Sequence, residues 1–298
     1  MIRLLPEERA VVHQHIYAIC GISLDASKDY LIEGRLGRLV EDHGCRSFAE
    51  FVGRAKADAR ATINRRIIDE ITTGETLFFR DSAPFDLLRH KVIPEMIDRR
   101  SRAGGRPTLR VWSAACSTGQ ELYSIAMVLR ECLGDVSKYN LRLIGTDISD
   151  QAVAKASEGI FGQIEIERGL NEAGRQRFFT THPRGWRIQD EIRAMVTFRR
   201  LNLFEDFGSL GKFDILFCRN VAIYFNELDK KSVFDRLGRS LESDGCLVIG
   251  AMETLSGVSP QFESMRHLRT VYYRLKGAIA PLPVSSTSTF RAPELLRR

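Results

Sequence analysis

The chain has 298 residues, 44% apolar and 28% charged, a balance ordinary for a folded soluble protein with room for one large domain or two modest ones. No apolar run approaches the ~18 residues of a membrane-spanning helix, and the opening segment lacks the apolar core of a secretory signal, so a cytoplasmic protein with no membrane insertion is expected. The net charge of +6 raises a nucleic-acid reading, but Met1 to Arg80 carries 12 basic and 12 acidic side chains, whereas Arg266 to Arg298 carries seven basic and one acidic; a surplus assigned to the end of the chain is no basic groove, and no nucleic-acid partner is expected.

The first 70 or so residues read as helices. Pro6, Glu7 and Glu8 open one, with proline and acids in a first turn. A second covers about 27–42 and stops at His43 and Gly44. Ser47 caps a third over 48–56, and a fourth starts near Asp58 with Ile63, Ile67, Ile68 and Ile71 at helical spacing. By periodicity Arg35, Arg38, Arg54, Arg60, Arg65 and Arg66 form a solvated face of this bundle. His13 and His15, two apart on a helix, point to different faces rather than to one metal. The six cysteines form no Cys-x-x-Cys pair and read as buried reduced thiols, so no metal site is expected.

A polar, Gly-containing loop over 71–81 turns abruptly aromatic at Phe78 and Phe79, which should pack on the core. A helix over 84–99 and a Gly/Pro/Arg loop over 101–107 follow. From residue 109 strands alternate with helices: strands over 109–113, 141–147, 196–202, 213–218, 246–251 and 270–275, with helices after Gly119, over 150–158 and over 228–241. Asn226 caps the last helix, and Asp244 with Gly245 reads as its stop. That alternation predicts an α/β fold with a parallel, doubly wound sheet. Residues 178–188 break it with two short strands around a His-Pro-Arg-Gly turn, a small inserted antiparallel β subdomain. The expected organisation is an N-terminal all-helical domain (1–72), a linker loop and helix (73–107), a sheet domain (108–277) with the β excursion near 176–198, and a Pro/Ser/Thr/Arg tail (278–298) expected to be disordered.

The chemistry centres on residues 109–121, a strand that passes through small residues into a helix N-terminus, as α/β sheets do where they hold a ligand. Asp147 ends the next strand 28 residues after Gly119, where such folds place an acid on ribose hydroxyls. The run SAACSTG lacks the glycines that let backbone approach a pyrophosphate. A cofactor without phosphates, such as S-adenosylmethionine, suits the loop better, and Glu121 could face its amino group, although an acid there also suits the helix dipole.

The runs TGETLFFR at 73–80, WSAACSTGQELYS at 112–124, GTDIS at 145–149 and FCRNVAIYF at 217–225 resemble, in order and interval, the CheR family of chemotaxis receptor methyltransferases. The resemblance extends from about residue 5 to 275. It implies the S-adenosylmethionine-dependent methyltransferase fold, a cytoplasmic monomer, and the esterification of glutamate side chains on the cytoplasmic domain of methyl-accepting chemoreceptors, with S-adenosylhomocysteine as product. By the same resemblance Thr76, Arg80, Glu121 and Asp147 hold the cofactor, Asn202 and Leu203 lie along its adenine, Arg219 and Asn220 complete the pocket, and Tyr224 stands near the transferring methyl. Arg80 and Tyr224 are the catalytic candidates.

Three departures matter. Gly74 joins the cofactor set where the family often has Asn, so one polar contact is lost. Gln120 and Leu122 replace Glu and Pro of the family motif, leaving Glu121 as its acid. The turn over 180–185 is shorter than in members that dock on a receptor's C-terminal pentapeptide, so no tight pentapeptide docking is expected. The bundle's arginines would suit acidic receptor helices. Alternatives are a non-catalytic S-adenosylmethionine-binding regulatory module and a methyltransferase for another carboxylate. A nucleic-acid methyltransferase is disfavoured by the absence of an Asn-Pro-Pro-Tyr or Pro-Cys motif.

Overall fold

The computed structural model describes residues 2–102 and 104–277; the tail expected to be disordered lies outside them. Helices α1 (Arg9–Cys20), α2 (Asp29–Asp42), α3 (Phe48–Ala57) and α4 (Thr62–Ile71) form a bundle around Val12, Ile16, Ile32, Leu36, Phe48, Phe51, Ile67 and Ile68. Their ends follow local chemistry. The Ser47 hydroxyl accepts from the Glu50 N–H (3.1 Å) and the Asp58 carboxylate from the Ile63 N–H (2.9 Å), each satisfying a donor that a helix leaves orphaned. His13 turns to Asp29 and His15 to Asn64, so the two rings diverge.

Residues 83–102 form one helical run with a π-turn at Leu88–Val92 between α5 (Ala83–Leu87) and α6 (Ile93–Arg102). Then come β1 (Thr108–Ala114), α7 (Gln120–Leu133), β2 (Asn140–Asp147), α8 (Asp150–Glu158), β3 (Ile160–Phe161), α9 (Gln163–Glu167), α10 (Glu172–Phe178), β4 (Phe179–His182), β5 (Gly185–Ile188), α11 (Asp190–Arg193), β6 (Val196–Arg200), β7 (Phe213–Cys218), α12 (Glu227–Arg239), β8 (Leu241–Ile249), β9 (Phe262–His267) and β10 (Thr270–Leu275). The main sheet has the order β6-β2-β1-β7-β8-β10-β9. Successive strand residues face opposite layers: Val111 and Ile215 pack beneath α7, Trp112 and Leu216 beneath α12. Helix α7 is apolar almost all round because it lies between the sheet and the 83–102 run.

Four expectations are corrected. The sheet is mixed: β6, β2, β1, β7 and β8 are parallel, but β10 and the unforeseen β9 close the edge antiparallel. Asp244 and Gly245 do not stop α12, which ends at Arg239; they form a bulge in β8 where the register jumps between Phe213–Leu241 and Ile215–Cys246. Tertiary pairing decides this, since Asp244 pairs with Arg99 and shares Arg100 with the buried Asp214. The β excursion gains a third strand, β3, and β5 lies between β3 and β4. Finally, four of the seven late basic residues, Arg266, Arg269, Arg274 and Lys276, belong to the β9–β10 hairpin and its exit, and Arg274 is buried beside Glu95.

The bundle meets the sheet at the end of α1. Gly21 caps that helix in the left-handed region (φ 69°), and a Cβ there would run into the Phe204 ring, which stacks edge-on against Phe225 (4.9 Å). Gly21→Ala should therefore destabilise the full chain by about 1–3 kcal/mol, through overpacking and a strained φ, measured as a lowered midpoint in urea unfolding.

Candidate functional site

The chain leaves β1 toward β2 and β6 on one side and returns to β7 and β8 on the other, so the strand order reverses at β1 and β7, the place where open α/β sheets bind ligands. Loops from the C-terminal ends of β1, β2, β6 and β7 converge there and meet the polar loop 72–81 and the end of α1. Together they form an open-mouthed cavity. Gly74, Thr76, Arg80, Glu121, Asp147, Asn202, Leu203, Arg219, Asn220 and Tyr224 all line it, drawn from five separate stretches of sequence.

The cradle after β1 is held by backbone geometry. Ala115 (φ 57°) and Ser117 (φ 50°) are left-handed, and Gly119 (φ 94°) lets α7 start against α8; a Cβ there would sit 2.9 Å from that of Ala156. Asp147 secures this turn. Its Oδ2 accepts the Ser117 N–H (2.8 Å) and its Oδ1 the Ser149 N–H (3.0 Å), and each oxygen keeps a lone-pair direction for a ligand hydroxyl. Burial pushes the Asp147 carboxyl up, partly offset by these N–H donors.

The polar loop is anchored from both sides. The Ser117 hydroxyl donates to the Gly74 carbonyl (2.9 Å), and Arg35 of α2 donates to the Ile71 carbonyl (2.7 Å) and to Thr73 Oγ1 (3.3 Å). Arg35 is thus not a free member of a solvated face. Phe78 is fully buried, edge-on to Phe161 and Phe179, and Phe79 packs on Phe85, so the aromatic half of the loop is core. Arg80 lies between two left-handed residues, Phe79 (φ 52°) and Asp81 (φ 54°), and donates to the Glu75 carbonyl (3.2 Å).

Arg219, at the end of β7, joins these parts. Its side chain is 1% exposed; Nη1 meets Glu121 Oε2 (3.1 Å), and Nη2 meets Asp81 Oδ2 (2.7 Å) and the Arg80 carbonyl (3.0 Å). Ser113 donates to the other Glu121 oxygen (2.8 Å). Glu121 thus has structural partners as well as a place on the cavity wall. Asn220 follows in the left-handed region (φ 58°), and Tyr224 ends the short 3₁₀ turn Ala222–Tyr224, its carbonyl accepting the Ser23 N–H (3.1 Å) from the bundle. Asn202 donates to the Ile19 carbonyl (3.2 Å) and accepts from the Phe204 N–H (3.0 Å), so its amide ties the sheet to α1.

Cys20 and Cys116 also line the cavity, but burial lifts Cys20 to about 11 and Cys116 well above its ordinary range, which makes neither a thiolate nucleophile. Sequence reasoning missed Asp81, Ser117, Phe204 and Glu253, whose carboxylate accepts the Asn220 and Ala222 N–H groups. Ser117 lies inside the run 112–124 and Asp81 directly follows the run 73–80, but nothing local marks Glu253.

The donor set fits S-adenosylmethionine. A carboxylate for vicinal hydroxyls, Asp147, lines the cavity with the apolar Ile148, Leu203 and Phe204, which suit a flat ring, and Glu121 suits a cationic group. Arg219→Met would leave Glu121 and Asp81 without their cation; stability should fall by about 3 kcal/mol, at the low end for a broken buried pair because Asp81 is 44% exposed, and urea unfolding measures it.

Two family models cover nearly all of the described chain: "CheR methyltransferase, all-alpha domain" matches residues 10–72 and "CheR methyltransferase, SAM binding domain" residues 74–271. Among similar proteins, the chemotaxis protein methyltransferase Cher2 of Pseudomonas putida is 40% identical over 262 residues, covering 86% of this chain and 94% of that one. Chemotaxis protein methyltransferase 1 of Pseudomonas aeruginosa is 38% identical (86% and 93% covered), and chemotaxis protein methyltransferase 1 of Vibrio cholerae 37% (86% and 92%). With its helical bundle, its doubly wound sheet and a cavity suited to S-adenosylmethionine, the chain belongs to the CheR methyltransferase family and is an S-adenosylmethionine-dependent methyltransferase.

Proposed function

We propose that this methyltransferase esterifies glutamate side chains on the cytoplasmic helices of chemoreceptors, acting in the cytoplasm. The observation that carries the reading is that Arg80 and Tyr224, from loops far apart in the chain, line the same cavity as Asp147. When bound, S-adenosylmethionine supplies an electrophilic methyl on a sulfonium. Asp147 would accept from the ribose hydroxyls, Asn202 and Leu203 would flank the adenine, Gly74 and Thr76 of the polar loop would help hold it, and Glu121, Arg219 and Asn220 would hold the amino-acid end.

A glutamate carboxylate, with an ordinary pKa of about 4.3, is ionised at neutral pH and needs no general base. The protein's task is to remove water and aim the oxygen, and positioning of this kind can supply up to ~7–11 kcal/mol of barrier reduction. Arg80 can hold the acceptor carboxylate by a charge-assisted hydrogen bond and Tyr224 by an ordinary one. The acceptor loses one negative charge per turnover, so an acidic helix binds more tightly before reaction than after. Exposed arginines of the bundle such as Arg38 and Arg66 suit that helix. The two-residue turn Pro183–Arg184 between β4 and β5 supports a mode without tight pentapeptide docking.

The test is transfer of a labelled methyl from the cofactor to a chemoreceptor cytoplasmic fragment, followed by alkali. Volatile labelled methanol is expected; label stable to alkali would sink the ester reading. Arg80→Ala should reduce turnover about 100-fold while the protein stays folded. Asp147→Ala should weaken cofactor binding about tenfold or more in calorimetry. Because the raised carboxyl of Asp147 must be ionised to accept two hydroxyls, wild-type affinity should fall as pH drops through its pKa, at a higher pH than an ordinary aspartate dictates, and the Ala variant should lose that dependence.

A further inference from the structure

Strands β7 and β8 run parallel to their ends, Cys218 opposite Ile249, so the loops that follow them emerge side by side. Glu253 stands in the turn after β8 and reaches across to the loop after β7. Its Oε2 accepts the N–H groups of Gly250 (2.7 Å) and Asn220 (2.8 Å), and its Oε1 accepts that of Ala222 (3.1 Å). Three backbone donors from two loops converge on one side chain. A carboxylate, which only accepts, can satisfy all three, whereas an amide would turn an N–H₂ toward a donor. The fit is close: a Cβ on Gly250 would lie 2.6 Å from Glu253 Oε2 and 2.9 Å from Asn220 Nδ2.

The loop held in this way is the one that needs holding. Asn220 is left-handed, a conformation that persists in a non-glycine residue only when its surroundings fix it. Ala222 opens the single 3₁₀ turn that Tyr224 ends, and one turn has too few bonds of its own to be rigid. Glu253 does not line the cofactor cavity; it borders a separate recess with Asp81, Phe262, Arg269 and Tyr273, so it cannot act on the reacting atoms directly.

We propose that Glu253 is a positioning residue for methyl transfer, clamping the 220–224 loop so that Tyr224 is presented to the acceptor carboxylate. This rests on the reading that Tyr224 acts at the acceptor. The test is a double-mutant cycle in the full-length protein, using the labelled cofactor and the receptor fragment, with kcat, cofactor Kd and thermal unfolding measured for Glu253→Gln, Tyr224→Phe and the pair. Glu253→Gln should lower kcat about tenfold or more with cofactor Kd within about threefold, and should lower it by less than about threefold once Tyr224 is Phe, as residues acting as a unit do. A full tenfold loss in both backgrounds, or a single variant within about threefold of wild-type kcat, would overturn the proposal. Tyr224→Phe at wild-type turnover would instead remove the role of Tyr224 and the proposal with it, so the two failures are distinct. If Glu253→Gln does not fold, Glu253→Asp, which keeps the charge and shortens its reach to the three N–H groups, is put through the same cycle, and the same outcomes decide.

Discussion

A guanidinium that is 1% exposed must be paired, and the way Arg219 is paired sets the shape of the site. Arg219 leaves the end of β7 and draws in Glu121 from the first turn of α7 and the carbonyl of Arg80 with the carboxylate of Asp81 from a loop nearly 140 residues earlier. The cradle, the polar loop and the central strand are therefore one electrostatic unit. The Arg80 side chain owes its place on the cavity wall to a bond made by its own carbonyl. A planar fork serves three acceptors in fixed directions, whereas a lysine ammonium, with three rotatable donors, would leave their arrangement less defined.

The same economy of contacts joins the two domains. The bundle touches the cavity through the Ser23–Tyr224, Ile19–Asn202, Gly21–Phe204 and Arg35–Thr73 contacts. Each ties a bundle residue to one that lines or flanks the site. A receptor helix docked on the bundle would thus rest on elements bonded to both the polar loop and the tyrosine turn. On the proposed reading, recognition and chemistry would share a frame, and shifts of the bundle on the sheet would be felt first at Tyr224 and Thr73.

How far the sequence could be read depended on the range of the cause. The Ser47 and Asn226 caps, the strand-to-helix passage at Gly119 and the acid at Asp147 are set by neighbours a few residues away or by a spacing, and all stand where local chemistry puts them. Asp244 and Gly245 carry the same local signal as a helix stop, yet they lie in a strand, because Arg99 and Arg100 from α6 pair with Asp244 and Asp214. Strand β9 alternates weakly and exists because β10 offers it an edge. The ten candidate residues surround one cavity, but their bonds to one another were not legible: that Glu121 faces Arg219, or that Arg35 is engaged by the polar loop, depends on packing between segments far apart in the chain. Glu253 had no motif at all, since its partners are backbone N–H groups that any residue could supply.

The backbone shows why side-chain identity alone does not make the site. Of the seven non-glycine residues with positive φ among the described residues, Phe79, Asp81, Ala115, Ser117 and Asn220 lie on the loops that form the cavity, while Ala61 and Leu268 lie elsewhere. Each costs about 1–2 kcal/mol relative to an ordinary conformation. Glycine would relieve that strain, but it would also give the loops more conformations to lose on folding and fewer contacts to keep them in one. At Phe79 and Asp81 the side chain is itself part of the restraint, packing on Phe85 in one case and pairing with Arg219 in the other. Strain is tolerated where a side chain on the strained residue holds the loop, and the outcome is a cavity whose polar groups are placed before the cofactor and acceptor arrive. For the proposed esterification, which needs alignment more than proton transfer, that prior placement is the larger share of what the fold contributes.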